Sequence, residues 1–574
     1  MTTIAQNLVD TLEANGIERV YGIPGDSLNG ITDALRTSGI EWVHARHEEG
    51  AAFAAAGEAS VTGSLAVCAG SCGPGNLHLI NGLYEAQRSR VPVLAIAAHI
   101  PSAEIGSNYF QETHPQELFR ECSVYAEHVS DPAQMPRLLR IAMQTAVEKQ
   151  GVAVLVIPGD IAVSDIPTEG IARITTARPR VVPQEEQLER AAELLNRAKK
   201  VTILAGAGVA GAHDRVIALA DALAAPIVHA LRGKEHIEFD NPFDVGMTGL
   251  LGFASGYRAM EAADTILMLG TDFPYQQFYP AGATKIQVDV RGEQLGRRTP
   301  LDLGIVGDVR ETAVALLPLL QRKKRRSHLD DALEHYRKTR KKLDELATPS
   351  GPGKAIHPQY VARLIDGLAA EDAVFIPDVG SPVVWAARYL TMNGRRRLIG
   401  SFSHGSMANA LSQGIGVQAS HRSRQVVALA GDGGLAMLLG ELLTLEQNAP
   451  LPLKIVVFNN SSLNFVELEM KAAGFVNYGT ELKNPDLSAV ARAIGLHATR
   501  VSESEQLEDA LRDAFAQDGP ALVEVMTDRQ ELSMPPSISV EQMKGFTLYA
   551  LRSVLSGRGD EVLDLARTNL RQIF

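Results

Sequence analysis

Short apolar runs that end on a glycine-rich turn and give way to a helical pattern recur along almost the whole chain, and this alternation leaves few folds open. ERVYGIPG (18–25), SLAVCAGSCGPG (64–75), PVLAIAAH (92–99) and VAVLVIPGD (152–160) are apolar stretches of strand length, as expected of parallel strands buried on both faces. Between them lie helical stretches such as the Ala-rich EGAAFAAAGEASVT (49–62). Strand, turn and helix in succession mark doubly wound α/β domains. The pattern fills residues 1 to about 165, resumes from VTILAGAGVAG (201–211) to near Gly307, and resumes again from near Ala355 to ALVEVMTD (521–528).

A chain of 574 residues, at about 150 residues per domain, allows three or four domains. The expected fold is therefore α/β, with three doubly wound parallel-sheet domains at 1–180, 181–345 and 346–530 and a helical tail at 531–574. QRKKRRSHLDDALEHYRKTRKKLDELATPSGPG (321–353) carries a basic cluster, but no aromatic platform is interleaved with it, so a solvated linker helix is expected. A net charge of −12 also argues against nucleic acid as a partner. With 45% hydrophobic and 21% charged residues the chain reads as ordinary and globular. No run approaches the roughly 18 apolar residues of a membrane span. MTTIAQNLVDTLEANG has no basic flank or long apolar run, so no secretory signal is expected. Three cysteines exclude a disulfide scaffold, and Cys68 and Cys72 lack the partners of a zinc site.

The most specific stretch is AGDGGLAMLLGELLTLEQNAPLPLKIVVFNNSS (430–462). One strand runs into Gly431-Asp432-Gly433; after a helix, a second strand ends on Asn459-Asn460. A carboxylate and an amide oxygen at neighbouring strand ends suit Mg²⁺, which prefers oxygen ligands and shares its shell with phosphates. Glycines beside the Asp let a diphosphate approach backbone N–H groups. A GDG turn or an NN helix cap is unremarkable alone, but their ordered combination resembles the diphosphate motif of thiamine-diphosphate enzymes, the family of acetolactate synthases, pyruvate oxidases and decarboxylases.

The resemblance implies that Asp432, Asn460 and the carbonyl of Ser462 hold Mg²⁺, with Gly433, Gly434, Val379 and Asn459 around the diphosphate of thiamine diphosphate. SFSHGSMANAL (401–411) resembles the segment under the cofactor, giving Gly405, Ser406 and Met407, with Met407 bending the two rings together. That cofactor needs a carboxylate at its pyrimidine nitrogen. EWVHARHEEGAAFAAAGEAS (41–60) resembles the family's RHE(E/Q) segment, in which only the first acid is always a carboxylate. Glu48 thus takes the catalytic position, Glu49 is expected to start a helix, and His47 to pack or cap. The family places GSCGPGNLHLINGL (70–83) across a subunit interface, with His78 near the substrate, and Phe110-Gln111 resembles a pair lining the substrate pocket.

Family membership does not fix the reaction, so the middle segment has to decide. Gly206, Gly208 and Gly211 follow a strand as GxGxxG, but a nicotinamide site would want an acid about 20 residues on. That position offers the basic Arg232-Gly233-Lys234. The segment instead resembles the flavin-binding middle domain of pyruvate oxidases, through Arg232, Gly233 and Lys234, through Thr248, Gly249, Leu250, Leu251 and Gly252, through Thr271, Asp272, Phe273, Pro274 and Tyr275, and through Asp289 and Asp308. Basic side chains would meet the anionic part of FAD, Thr248-Gly249 its ribityl chain, and Asp289 and Asp308 its adenosine end.

End to end, the chain resembles the branch that oxidatively decarboxylates pyruvate to acetate and CO₂ through a hydroxyethyl adduct, passing electrons through FAD to a membrane quinone. Phe465 then matches an aromatic that swings between the two cofactors. Ser462 and Asn464 stand where Val and Gly are expected; backbone ligation tolerates the first, while the second bears on movement of the loop. In the tail, Val562, Leu563, Ala566, Leu570, Ile573 and Phe574 fall in one helical arc, with Leu565 outside it and Asp560, Asp564, Arg567 and Arg571 opposite. Such a helix could dock on its own core. The resemblance implies instead a tail released on reduction to bind a lipid bilayer surface, and so a cytoplasmic protein reversibly attached to the inner face of the cell membrane. It also implies a homotetramer. The rival expectations are acetolactate synthase and phosphate-dependent pyruvate oxidase. A non-catalytic relative is disfavoured because Glu48, Asp432 and Asn460 are all present.

Overall fold

A computed structural model of the protein describes residues 2–166, 170–177, 179–448 and 451–531 and, in the tail, 544, 548–553, 560, 562–565 and 568–569. Its frame is three six-stranded sheets in which every strand pairing is parallel. The first holds β1 (Arg19–Gly22), β2 (Glu41–His44), β3 (Ala66–Gly70), β4 (Val93–His99), β5 (Tyr125–His128) and β6 (Val152–Pro158), in the order β2-β1-β3-β4-β6-β5. The second holds β7 (Val201–Ala205), β8 (Ile227–His229), β9 (Asp244–Met247), β10 (Thr265–Leu269), β11 (Thr284–Asp289) and β12 (Leu303–Val306), in the order β12-β11-β10-β7-β8-β9. The third holds β13 (Val374–Pro377), β14 (Arg397–Leu398), β15 (Val426–Gly431), β16 (Lys454–Asn459), β17 (His497–Val501) and β18 (Ala521–Met526), in the order β14-β13-β15-β16-β18-β17. The doubly wound α/β fold expected from the alternation is therefore present three times.

The first and third sheets share one topology, and the second has the strand order of dinucleotide-binding folds. In such open sheets ligands bind beyond the C-terminal strand ends where the order reverses. Those switch points lie between β1 and β3, between β7 and β10, and between β13 and β15. Central strands β3, β4 and β6 are buried throughout, whereas edge strands β5 and β17 are part-exposed, which is why only the former read as unbroken apolar runs. The linker helix expected within 321–353 spans Ser327–Leu346, and Arg322 of the basic cluster pairs with Asp221 at 2.7 Å.

The first and third units share a core. Helix Glu48–Thr62, buried on nearly every side from Gly50 to Ala59, packs against helix Asn409–Ser420. The approach is so close that a Cβ at Gly416 would lie 1.8 Å from the Ala54 carbonyl oxygen, and one at Gly57 would lie 2.4 Å from that of Gln413. Gly416→Ala is therefore expected to destabilise the protein by at least the ~1–3 kcal/mol typical of overpacking, read by chemical denaturation. An unchanged midpoint would contradict this packing.

Among the described residues no helix is long and apolar enough to cross a membrane. In the tail, Tyr549 is buried beneath the Lys471 ammonium at 5.5 Å, Arg552 donates to the Gly474 carbonyl at 2.6 Å, and Asn569 donates to that of Gln530 at 2.7 Å. Leu563 of the expected apolar arc is exposed, whereas Leu565, expected outside it, is buried. Ala566, Arg567, Leu570, Arg571, Ile573 and Phe574 lie outside the described residues.

Candidate active site

At the switch point of the third sheet, β15 delivers Asp432 to the start of helix Asp432–Met437. Its carboxylate, 2% exposed, accepts from Asn484 Nδ2 at 2.7 Å; the same amide reaches Asn459 Oδ1 at 3.2 Å. Glu524 holds the other side of Asn459 at 2.7 Å, and Asn460 Oδ1 accepts the Ser462 N–H at 3.1 Å. Burial pushes the Asp432 carboxyl up to about 6, against the pull of Asn484 and of the Gly433 and Ser461 N–H groups. A buried carboxylate with no cationic side chain bonded to it among the described residues, beside amide oxygens, is the donor set of a hard divalent cation. Met407 belongs to the same pocket, its Cε lying 3.4 Å from where a Gly433 Cβ would be.

Asp378, absent from the motif reading, underlies this group. Its carboxylate accepts the Ala410 N–H at 3.0 Å and is held by those of Gly431 and Asn409, while burial pushes it up to about 7. A Cβ at Gly434 would lie 2.2 Å from its Oδ2, so Gly434 is required by the acid beneath it. Val379 follows, half-buried, at the end of β13.

The first-domain residues form a second group. Glu48 opens its helix; His47 caps it, accepting the Glu49 N–H on Nδ1 at 3.2 Å. His78 donates from Nδ1 to Glu48 Oε2 at 2.9 Å and stacks on His47 with ring centroids 4.3 Å apart. Cys72 Sγ–H donates to Gln111 Oε1 at 3.2 Å, while Phe110 is 77% exposed. Asn81 ties the two groups together: it donates to Glu49 Oε1 at 2.7 Å and to Ser406 Oγ at 3.0 Å, and accepts from His404 at 2.8 Å. Gly405 follows His404 and is exposed. Four non-glycine residues in these loops hold left-handed backbone, Asn108 (φ 61°), Gln111 (φ 63°), Ala408 (φ 65°) and Ser461 (φ 54°); strain of this kind concentrates at ligand and catalytic loops.

In the middle domain, Gly206, Gly270 and Thr271 meet at the β7/β10 switch point, where a Cβ at Gly206 would lie 2.4 Å from the Gly270 oxygen. Thr248 Oγ1 is buried and has no hydrogen-bond partner among the described residues. Gly249 (φ 94°) faces the Phe273 ring, which packs edge-on with Tyr275, Phe278 and Tyr279; Pro274 is exposed. The carbonyls of Leu251 and Gly252 accept from Arg388 at 3.1 and 3.3 Å, and half-buried Leu250 precedes them. Arg90 pairs with Asp272 at 2.7 Å, and Arg232 donates to the Ser89 carbonyl at 2.9 Å. An unpartnered buried hydroxyl beyond edge strand β9, with Arg232 after β8 and Arg90 on Asp272 after β10, offers groups that suit the hydroxyls and diphosphate of a dinucleotide.

Four of the expected flavin residues are engaged by the protein itself. Lys234 is buried and its ammonium is taken by Glu238 one helical turn on; Gly233 packs on the Ala205 carbonyl. Asp308 Oδ1 caps helix Val309–Leu316, accepting the Arg310 N–H at 2.8 Å. Asp289 Oδ1 accepts the Arg291 N–H at 3.0 Å.

Family models match all three units: the N-terminal TPP binding domain of thiamine pyrophosphate enzymes at residues 2–118, the central domain at 188–316 and the C-terminal TPP binding domain at 378–525. The chain belongs to the thiamine pyrophosphate enzyme family. A Bacillus subtilis protein described as thiamine pyrophosphate-containing is 36% identical over 100% of this chain and 99% of its own. Acetolactate synthase isozyme 2 large subunit of Escherichia coli is 31% identical over 94% of this chain and 98% of its own. Pyruvate oxidase of Lactiplantibacillus plantarum is 30% identical over 90% of this chain and 87% of its own. Thiamine diphosphate (the same compound as thiamine pyrophosphate) is thus the cofactor the first and third domains are built to hold, and Mg²⁺ is its usual companion in the family.

Proposed function

We propose that the protein oxidises pyruvate: pyruvate, water and a membrane quinone give acetate, CO₂ and quinol. The observation that carries this reading is the position of Phe465. It opens helix Asn464–Ala472 immediately after the metal loop and packs against the apolar core of the third domain, a core that Leu231 and Leu251 of the middle domain also pack against. An aromatic side chain thus follows the cofactor loop, on a core that the turn suited to FAD also meets.

When bound, thiamine diphosphate supplies the carbanion at which a 2-oxoacid loses CO₂, and FAD accepts the two electrons. The chain's own residues do the rest. Asp432, Asn460 and the Ser462 carbonyl hold Mg²⁺; Val379, Gly433, Gly434 and Asn459 surround the diphosphate; Gly405, Ser406 and Met407 support the rings. Glu48 holds the pyrimidine nitrogen, and its proton bookkeeping is assisted by His78. Gln111, its carbonyl occupied by Cys72, keeps its NH₂ for the substrate carboxylate, with Phe110 closing the pocket. Arg232, Thr248, Gly249 and the Thr271–Tyr275 segment hold FAD, whereas Lys234 and Asp308 act from behind, through Glu238 and through a helix cap.

The exposure of Phe110 at 77% and Met437 at 58%, beside the two groups, supports completion of each site by a second copy within a homotetramer. The tail contacts the helix that Phe465 opens, through Lys471 and Gly474. That suits a tail which restrains the helix until reduction frees it for a lipid surface, and so a cytoplasmic protein that visits the inner face of the membrane. Deleting residues 552–574 is therefore expected to raise turnover with soluble acceptors and to remove stimulation by phospholipid vesicles; vesicle dependence that survives the deletion would contradict this role.

Product analysis tests the reaction. Purified protein with pyruvate, both cofactors and a quinone analogue should form acetate without added phosphate. Acetolactate as the main product would transfer the assignment to the second reading, favoured by the Escherichia coli relative, and acetyl phosphate would mark a phosphate-dependent oxidase.

A further inference from the structure

Strand β2 ends at His44, and three residues, Ala45 to His47, carry the chain from the sheet edge to Glu48. Nothing in the first sheet pairs with those three residues except at Ala45, whose N–H reaches the Gly22 carbonyl at 3.1 Å. The grip comes from the third domain. Glu441, 1% exposed, turns one carboxylate oxygen onto two consecutive peptide groups, accepting the Arg46 N–H at 3.1 Å and the His47 N–H at 2.8 Å. Its other oxygen accepts from Thr444 Oγ1 at 2.6 Å. Asn448 adds a two-way clamp on His44, accepting its N–H at 3.1 Å and donating to its carbonyl at 3.0 Å. Arg46 closes the set by donating to Gln447 Oε1 at 2.9 Å.

The sequence makes room for this carboxylate. A Cβ at Gly50 would lie 2.5 Å from Glu441 Oε1, so a side chain at 50 would evict it. Burial raises the Glu441 carboxyl above its ordinary range, and the Thr444 hydroxyl and the two N–H groups oppose that rise. A buried acid is costly unless such charge-assisted bonds satisfy it. These bonds are made to the one segment whose geometry sets where the next side chain, Glu48, points.

We propose that Glu441 is a positioning residue: from the third domain it fixes the backbone of Arg46 and His47 and thereby aims the Glu48 carboxylate at the cofactor. The inference rests on the cofactor site described above and deepens it. Glu441 touches neither cofactor nor substrate and acts only through Glu48. Glu441→Gln keeps the volume but replaces a charged acceptor of two N–H groups by a neutral one. Glu441→Ala removes the acceptor and leaves both N–H groups without that partner.

The test has three readouts. In cofactor-free protein, hydrogen exchange of the peptide covering 44–50 should quicken in Glu441→Gln. Calorimetry with thiamine diphosphate and Mg²⁺ should give affinities within about threefold of the parent, because the metal and diphosphate groups are untouched. Proton–deuterium exchange at the thiazolium C2 of the bound cofactor, without substrate, should slow by about 10–100-fold, the scale of an ångström-sized misplacement. The double variant Glu48→Gln/Glu441→Gln should be no slower than Glu48→Gln alone, as expected of residues acting as one unit. Parental C2 exchange in Glu441→Gln, or effects that multiply in the double variant, would overturn the proposal. Should Glu441→Ala fail to fold, the isosteric Gln variant alone decides. A parent protein that binds no thiamine diphosphate overturns the functional reading itself, which separates the two failures.

Discussion

Glu48→Gln is expected to lower turnover of pyruvate by about 10²–10⁴-fold, the range for loss of a positioned acid–base group, while thiamine diphosphate and Mg²⁺ still bind. The carboxylate is buried at the first turn of its helix, receives a hydrogen bond from His78, and has Gly75 close against its Oε1, where a Cβ would lie 3.1 Å away. Gln fills the same space and keeps an oxygen for His78, so the fold and the metal group are undisturbed. What it lacks is the capacity to hold a proton at the pyrimidine nitrogen. Steady-state kinetics beside calorimetry of cofactor binding separate the two effects. A Gln variant with more than a tenth of parental turnover would remove Glu48 from the chemistry.

Asp432→Ala is expected to act on binding instead. Loss of outer partners of a metal site already costs about 10–100-fold in affinity, and Asp432 is proposed as a direct ligand, so Mg²⁺-dependent binding of thiamine diphosphate should weaken by more than about 100-fold. The metal-free variant Asp432→Asn should be at least as stable as the parent, because the buried charge is gone while Asn484 and the Gly433 and Ser461 N–H groups remain in place. Stability lost together with binding would point to a structural carboxylate. Unchanged Mg²⁺ dependence would move the metal elsewhere.

Much of the fold was legible because the central strands are buried on both faces, so β3, β4, β6, β7, β15 and β16 stand out as apolar runs. Edge strand β5, YAEH, with no fully buried residue, carries no such signal. The proximity of Asp432 to the 459–462 loop was legible because these residues sit at fixed offsets on consecutive elements. Asp378 was within reach, since VFIPDVG ends a strand on an acid and a glycine. Asn484, Cys72 and Glu441 were not, because their partners are distant in sequence and lie on no common motif: Glu441 meets His47 across 394 residues. Lys234 shows the limit of a local reading. A basic residue after a Gly reads as an anion ligand, yet Glu238 four residues on is the partner that geometry selects. Asn464, which stands where Gly is expected, uses its side chain: it donates to the Arg529 carbonyl at 2.6 Å and meets Ser381 Oγ at 3.2 Å, tying the loop to the strand end that leads into the tail.

Flavin absorbance under anaerobic conditions tests the central claim most directly. With thiamine diphosphate and Mg²⁺ present, pyruvate should bleach the bound flavin, a quinone analogue should restore its colour, and acetate should accumulate in proportion. A flavin that stays oxidised while pyruvate is consumed would contradict the account, leaving a family member that joins or simply decarboxylates 2-oxoacids.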